Sequence, residues 1–521
     1  MKGLCRFVRM CYGLMFLCIF CLVLFCSNED FLYKKTFLHG NLVYAAIGVA
    51  IAAVSAVFVS RPKARRLAFD ETRINRLVAV AAAALFVIQL YIFHNIMFAS
   101  GWDSSIIVKA ARYSAGYSKS TTTWYYSFYP NNLLIIQLYG LLLKINVWGG
   151  LLNKPYDLMC IIALNTLLNA LSCYMVYVIV RRLYGAYWAV IAFVVSVLLF
   201  GISPWSSICY SDGLALFFPT LIICLYTWKP TGKAGHIIRY GGMVCASCLG
   251  YMFKPYVLIT SMAVILVSAC RMASQGRKQA LRGIAIIAGL CLCFIGVHKL
   301  LDTGVRALVE RVDGIEIDDE QTHDWQHFFM MGMNTERQGV FSQEDCNFSE
   351  AIPTRRERAR SNLEVAFSRI RDMKLSGFLN QMKKKMLITF HDGTFSWGME
   401  GNFFKKIYDP PNQSVAPALR QFYYVDGSHH QHFMSFEQCI WIFVLLMSLL
   451  ASLSRRKDSV EPVIAILMLT LVGFVIYEAL FEVRARYVYT YTPVIAMLAT
   501  MGLRACADLA VGLRKKRGEK E

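Results

Sequence analysis

Several things are scarce in this 521-residue chain. Only 17% of its residues are charged, and the acids are outnumbered, 34 Asp and Glu against 54 Lys and Arg. A net charge of +20 would suit a nucleic-acid partner. The basic residues, however, gather at the ends of apolar runs, where they serve as membrane-orientation signals, so no nucleic acid is expected. The 17 cysteines lack paired metal-ligand spacing and lie mostly inside apolar runs, as Cys5, Cys11, Cys18, Cys21 and Cys26 do. That excludes a disulfide framework and leaves them as small packing or lipid-facing residues. No internal repeat is found. The start of the chain, Lys2, Arg6 and Arg9 before an apolar run at 10–26, resembles a signal peptide. It lacks a small-residue cleavage site and is read as an uncleaved first span.

What the chain has in quantity is apolar sequence: 56% hydrophobic residues and a mean hydropathy of +0.45. That exceeds an average soluble domain. Further runs that approach the ~20 residues needed to cross a bilayer fall at 42–60, 77–98, 133–148, 158–180, 186–202, 214–228, 241–253, 257–270, 284–297, 440–453, 463–481 and 493–511. The expected fold is an all-α polytopic membrane protein of about 11–13 transmembrane helices, with an extracytoplasmic, partly helical inserted domain. Basic marks at 61–76, Arg181-Arg182, Lys229/Lys233/Arg239, Arg271–282, 455–457 and 514–517 read as cytoplasmic, as do both termini. The division is then 1–300, an N-terminal transmembrane catalytic module with a first outer loop at 99–132; 301–433, a soluble domain outside; and 434–521, a C-terminal transmembrane module with a basic tail. The parity of crossings fails by one between Asp103 and Arg181. Either 133–148 is re-entrant or the Arg181-Arg182 pair breaks the rule.

Four polar groups fall on the outer face by this count: Trp102-Asp103, Tyr210-Ser211-Asp212, Lys254 and Glu482 to Tyr487 with Arg484 and Arg486. An acid within a few residues of a membrane span is costly unless it has a partner or a task. Acids and bases brought to one end of a helical bundle suit a charged lipid headgroup. Transfer from a lipid-phosphate sugar needs cations to hold the departing phosphate and a base to take the acceptor's proton, and little else. Asp103 is the candidate base and Asp212 the second catalytic acid. Arg486, with Arg484 or Lys254, is the candidate phosphate contact. Trp102, Tyr129, Tyr210 and His327 are candidate substrate contacts.

The order of these features carries a resemblance. A span is followed by Gly101-Trp102-Asp103, then Tyr126-Ser127-Phe128-Tyr129-Pro130-Asn131-Asn132, Arg181-Arg182-Leu183-Tyr184-Gly185, Tyr210-Ser211-Asp212, and Arg486-Tyr487 near the last span. This resembles the GT-C superfamily of polyprenyl-phosphate-sugar-dependent glycosyltransferases, above all bacterial members related to protein O-mannosyltransferases and aminoarabinose transferases. The resemblance implies a catalytic acid in the first outer loop, at Asp103, and a second outer acid, at Asp212. It implies an inverting glycosyltransferase, hexosyl or pentosyl, in the cell membrane. Its partners would be a polyprenyl-phosphate-linked donor and a glycan, lipid or protein acceptor of the cell envelope. Many members carry a pair of acids in that first loop. Here Ser104 and Ser105 follow Asp103, so no cofactor is expected; a divalent metal stays an open alternative that paired acids do not support. The 327–334 and 391–397 segments are similar to those of Gram-positive bacterial members, which points to a cell-envelope enzyme.

Plainer roles compete for the same residues. Asp103 and Asp212 could cap helices. Lys254, Arg484 and Arg486 could be snorkelling or ordinary loop charges. His323 and His327 have the i, i+4 spacing of a metal pair but no evident third ligand. The rival functions are a transporter or flippase of lipid-linked sugars, which more often shows repeats, and a polymer ligase using a diphosphate donor.

Overall fold

The computed structural model describes residues 1–27, 37–59, 70–454 and 460–518. The basic marks at 61–66 and 455–457 lie outside the described residues. Among the described residues the fold is almost entirely helical, and the one sheet is a two-stranded ribbon pairing Phe98–Ala99 with Lys406–Ile407.

Among the described residues nine helices are long and apolar enough to cross a membrane, and three shorter apolar ones, Asn41–Ser55, Ala186–Gly201 and Ser211–Thr227, accompany them. Their apolar faces explain how they pack. His430–Leu450 lies between Asn41–Val59 and Thr492–Gly518. Met159–Tyr184 packs on Glu71–Asn95 and Ala186–Ser196. Glu461–Leu480 holds Lys2–Phe25 on one side and Leu258–Ala273 on the other. These helices bury the sides that meet their neighbours and leave other apolar residues, such as Leu14, Met262 and Ile476, exposed, as helices whose apolar residues are not confined to one stripe can.

The ends of the helices sort into two groups. At one end Arg181 pairs with Glu71 at 3.1 Å, Tyr177 Oη donates to Asn75 Oδ1 at 2.6 Å, and Arg182 donates to the Cys224 carbonyl at 2.6 Å. At the other end lie Asp103, Asp212, Lys254 and Arg486. The parity of crossings turns on the helix Leu133–Gly149. It begins beside Tyr125, whose hydroxyl accepts from Asn132 at 2.8 Å. It ends beside Tyr117, whose hydroxyl accepts from Asn146 at 2.9 Å. Arg112 then grips Asp157 through two bonds of 2.9 and 2.6 Å, and Tyr156 donates to the Asp409 carbonyl at 2.5 Å. Both ends of Leu133–Gly149 are thus held by residues of the first outer loop. The helix packs along Trp102–Ser114.

The boundaries expected at 300/301 and 433/434 fall inside helices, Arg277–Asp313 and His430–Leu450. Polar sequence starting near 301 continues a helix already under way. The inserted segment is also stitched to the first loop. Trp205 Nε1 donates to the Thr394 carbonyl at 2.9 Å, and Trp397, Phe403 and Phe404 pack around Phe98. Within the partly helical inserted segment, Arg355–Phe390 is one helical element with non-helical backbone at Lys374 (φ 52°) inside it.

Candidate functional site

The helix Trp102–Ser114 starts abruptly. Trp102 sits at φ +39°, in the left-handed region that a bulky residue rarely enters. Two contacts hold it there. Gly101 N–H donates to the Asn402 carbonyl at 2.7 Å, and a Cβ on Gly101 would meet that same oxygen at 2.5 Å, so only glycine fits. The Trp102 ring meets the Arg486 guanidinium at 4.4 Å and Tyr210 edge-on at 4.8 Å. This turn puts the half-buried Asp103 against Tyr210, whose hydroxyl donates to Asp103 Oδ2 at 3.2 Å. Gly101 is the N-cap and the helix has no side-chain cap bond, so Asp103 is not capping. The same holds for Asp212 in Ser211–Ala215. Burial raises the Asp103 carboxyl above its usual range. Arg486 opposes the shift, Glu482 adds to it, and the Tyr210 hydrogen bond opposes it.

Behind Tyr210, Tyr139 and Asn165 fix the turn. The Tyr139 hydroxyl lies 3.3 Å from both the Asn165 side-chain oxygen and the Tyr210 carbonyl, and Asn165 donates to the Ile208 carbonyl at 2.9 Å. That places the buried Asp212 carboxylate between two cations, Lys254 Nζ at 3.2 Å and Arg486 Nε at 3.2 Å. Arg486 also reaches Glu400 Oε2 through Nη1 at 3.0 Å, and Arg484 reaches the same oxygen at 3.0 Å while holding Glu482 at 3.0 Å. Lys254 lies over the rings of Tyr210 and Tyr487, 4.8 and 4.9 Å from their centres. Burial pushes the Lys254 ammonium below its usual range, with Asp212 pulling the other way. Burial also pushes Glu400 upward, but Arg484 and Arg486 outweigh it and hold the carboxyl below its usual range.

The structure thus brings Trp102, Asp103, Tyr210, Asp212, Lys254, Arg484 and Arg486 into one cluster drawn from four separate stretches of chain. Tyr129 stands beside it, 5.0 Å from Tyr125, with its phenol raised by burial and by the charges of Cys346, Asp103 and Glu482. His327 does not join. Its Nδ1 lies 2.8 Å from Ser349 Oγ, which donates to Asn362 Oδ1 at 3.0 Å, and its ring stacks on His323 at 4.1 Å. Burial lowers the two imidazoles to about 3 for His323 and about 4 for His327, so both remain neutral near pH 7. No group of three or more His, Cys, Asp or Glu arranged to hold a metal occurs among the described residues.

Glu400 is the central residue that sequence reasoning missed. It lies in an irregular segment, between Met399 and Gly401, with no apolar run beside it to mark it. Its one signal is that it is an acid in a chain poor in acids.

A helical bundle with buried ion pairs gathered at one end defines a multi-pass integral membrane protein. More particularly, the chain belongs to the family described as conserved hypothetical integral membrane protein, whose model matches residues 2–507. No curated protein matches it. Among solved structures it is similar to the archaeal oligosaccharyltransferase AglB from Archaeoglobus fulgidus, in complex with an inhibitory peptide and a dolichol-phosphate. The identity is 11% and the TM-score 0.40, over 84% of this chain and 52% of that one. This chain therefore spans about half of that protein's length.

Proposed function

We propose that the protein is an inverting glycosyltransferase of the GT-C kind, moving one sugar from a polyprenyl-phosphate carrier to an extracytoplasmic acceptor of the cell envelope. The observation that carries this reading is the cluster itself: one half-buried carboxylate, Asp103, beside a set of buried cations at the end of a membrane bundle.

The chemistry follows from the groups present. An acceptor hydroxyl gives its proton to Asp103 as its oxygen attacks the sugar's anomeric carbon. The bond from that carbon to the phosphate oxygen breaks on the opposite face, which inverts the configuration. The bonding electrons leave with the phosphate, which gains a negative charge. Arg486 and Lys254 stabilise that charge. Asp212 and Glu400 hold the two cations in place. An arginine carries five N–H donors; Nη1 contacts Glu400 at 3.0 Å, while Nε, 3.2 Å from Asp212, forms an ion pair without hydrogen-bond geometry. The remaining donors suit a phosphate. The raised pKa of Asp103 suits a base, because proton transfer is most efficient when the catalytic pKa approaches the working pH. Trp102 Nε1 is buried without a hydrogen-bond partner, a donor suited to the sugar or phosphate.

The test is to incubate purified protein with a panel of lipid-phosphate sugars and an envelope extract, and to follow release of free lipid phosphate together with sugar transfer. Release dependent on acceptor supports the reading. Transport of the intact lipid-linked sugar across a vesicle membrane, without release, would favour a flippase.

A further inference from the structure

A second charged region lies on the far side of the helix Trp102–Ser114 from the arginine cluster. A cavity of about 350 Å³ opens there, lined by Ser105, Lys109, Arg112, Lys154, Lys405 and Lys406. Arg112 is matched by Asp157. The other four cations are not. Among the described residues, Lys109, Lys154, Lys405 and Lys406 form no ion pair. Lys154 donates to the Tyr117 carbonyl at 2.9 Å, and Lys406 lies over the Tyr408 ring at 5.6 Å, so both are oriented by neutral groups. All four are exposed.

Three separate elements build this basic cavity. Ser105, Lys109 and Arg112 share one helix face by their i, i+4, i+7 spacing. Lys154 follows the helix Leu133–Gly149. Lys405 and Lys406 come from the inserted segment, fixed by the pairing of Lys406–Ile407 with Phe98–Ala99. The cavity also touches the candidate active site. Ser104 and Ser105 follow Asp103 in its own helical turn, and Cys209, which precedes Tyr210, lines the same wall. Ser104 Oγ donates to the Cys209 carbonyl at 3.3 Å, tying the two walls together.

Resting on the glycosyltransferase reading, we propose that this cavity binds an anionic unit of the acceptor, so that the acceptor is a polyanionic envelope polymer and not a neutral glycan. Four exposed cations around one cavity, none within ion-pair distance of a carboxylate, give it a positive potential complementary to an anionic ligand, and lysine holds a phosphate as a point charge. The acceptor must be longer than one unit. Asp103 and Ser105 are two residues apart and so face nearly opposite sides of the helix, whose diameter with side chains is about 10–12 Å. The anionic unit sits against Lys405 and Lys406, and a hydroxyl further along the same polymer reaches Asp103.

The experiment uses the full-length protein in a neutral detergent and a fluorescent short oligomer of poly(glycerol phosphate), with a dextran oligomer of similar length as the neutral control. The wild type should bind the polyanion and not the dextran, with binding that weakens steeply as salt rises. The double variant Lys405→Glu, Lys406→Glu should bind it at least about tenfold more weakly, the worth of one charged contact. Equal binding of the polyanion by wild type and variant, or none by either, overturns the proposal. So does a variant that keeps polyanion binding but loses association with anionic phospholipid vesicles, which would make the cavity a headgroup site. Failure of the glycosyltransferase reading would appear separately, as absence of carrier release from every donor, with the binding result unaffected.

Discussion

Replacing Arg486 separates holding a phosphate from holding the protein together. The side chain is 5% exposed and bridges Asp212 at 3.2 Å and Glu400 at 3.0 Å, with its guanidinium 4.4 Å from the Trp102 ring centre. Removing one partner of a buried ion pair costs about 3–5 kcal/mol. Lys254 stays on Asp212 and Arg484 stays on Glu400, so neither carboxylate is stranded and Arg486→Ala should fall at the low end, about 3 kcal/mol. Arg486→Lys keeps the charge but cannot span both carboxylates. It should cost about 1.5–3 kcal/mol, one charged hydrogen bond. The donor effect is distinct. If Arg486 holds the phosphate, Arg486→Lys should raise the donor concentration for half-saturation about tenfold, and Arg486→Ala further still. Thermal unfolding in detergent measures the first effect and donor titration the second. Variants that lose the expected stability yet saturate with donor like the wild type would show that Arg486 is structural alone.

Tyr210→Phe removes the hydrogen bond that lowers the Asp103 pKa, leaving burial to act without it. The base works only when deprotonated, so transfer should fail as pH drops through that pKa. The acidic limb of the wild type should already stand above an ordinary carboxylate, and the variant's should move higher; an unmoved limb would count against Asp103 as the titrating group. Lys385 donates to the carbonyls of Gly332, Ala479 and Phe481 at 3.0, 2.9 and 2.7 Å, and burial brings it down to about 7. Lys385→Met should destabilise by roughly 3 kcal/mol, because buried carbonyls lose their donor, and an unchanged melting temperature would refute that role. Cysteine placed at Lys119 should react with a membrane-impermeant reagent on intact cells, and cysteine at Lys229 only after permeabilisation. The reverse pattern would invert the orientation.

The site was legible where a polar residue interrupts or ends apolar sequence. Asp103, Asp212, Lys254 and Arg486 all stand out in this way, since a charge beside a membrane run is conspicuous. Their pairing was not legible. Asp212 meets Lys254 and Arg486 because two distant turns return to one end of the bundle, and no spacing in the chain encodes that. Glu400 was missed because no apolar run of membrane length stands beside it. His327 looked available as a substrate contact, but its ring is committed to Ser349 and to the stack with His323. Hydropathy likewise could not tell that Leu133–Gly149 packs along Trp102–Ser114, because an apolar helix has the same composition whichever neighbour it lies against. The first outer loop, marked at 99–132 only by its polarity, contains the helix Trp102–Ser114 with Ile107, Ala110 and Ala111 buried.

The most direct test of the account is Asp103→Asn, with sugar transfer and donor binding measured on the same correctly inserted protein. Asn keeps the size of the side chain and can still hydrogen-bond Tyr210, but it cannot take a proton. If Asp103 is the base, transfer should fall by roughly 10²–10⁴-fold, the usual worth of general base catalysis. Donor binding should hold, because the cations that meet the phosphate remain in place. A folded Asp103→Asn protein that transfers sugar at near the wild-type rate would contradict the mechanism.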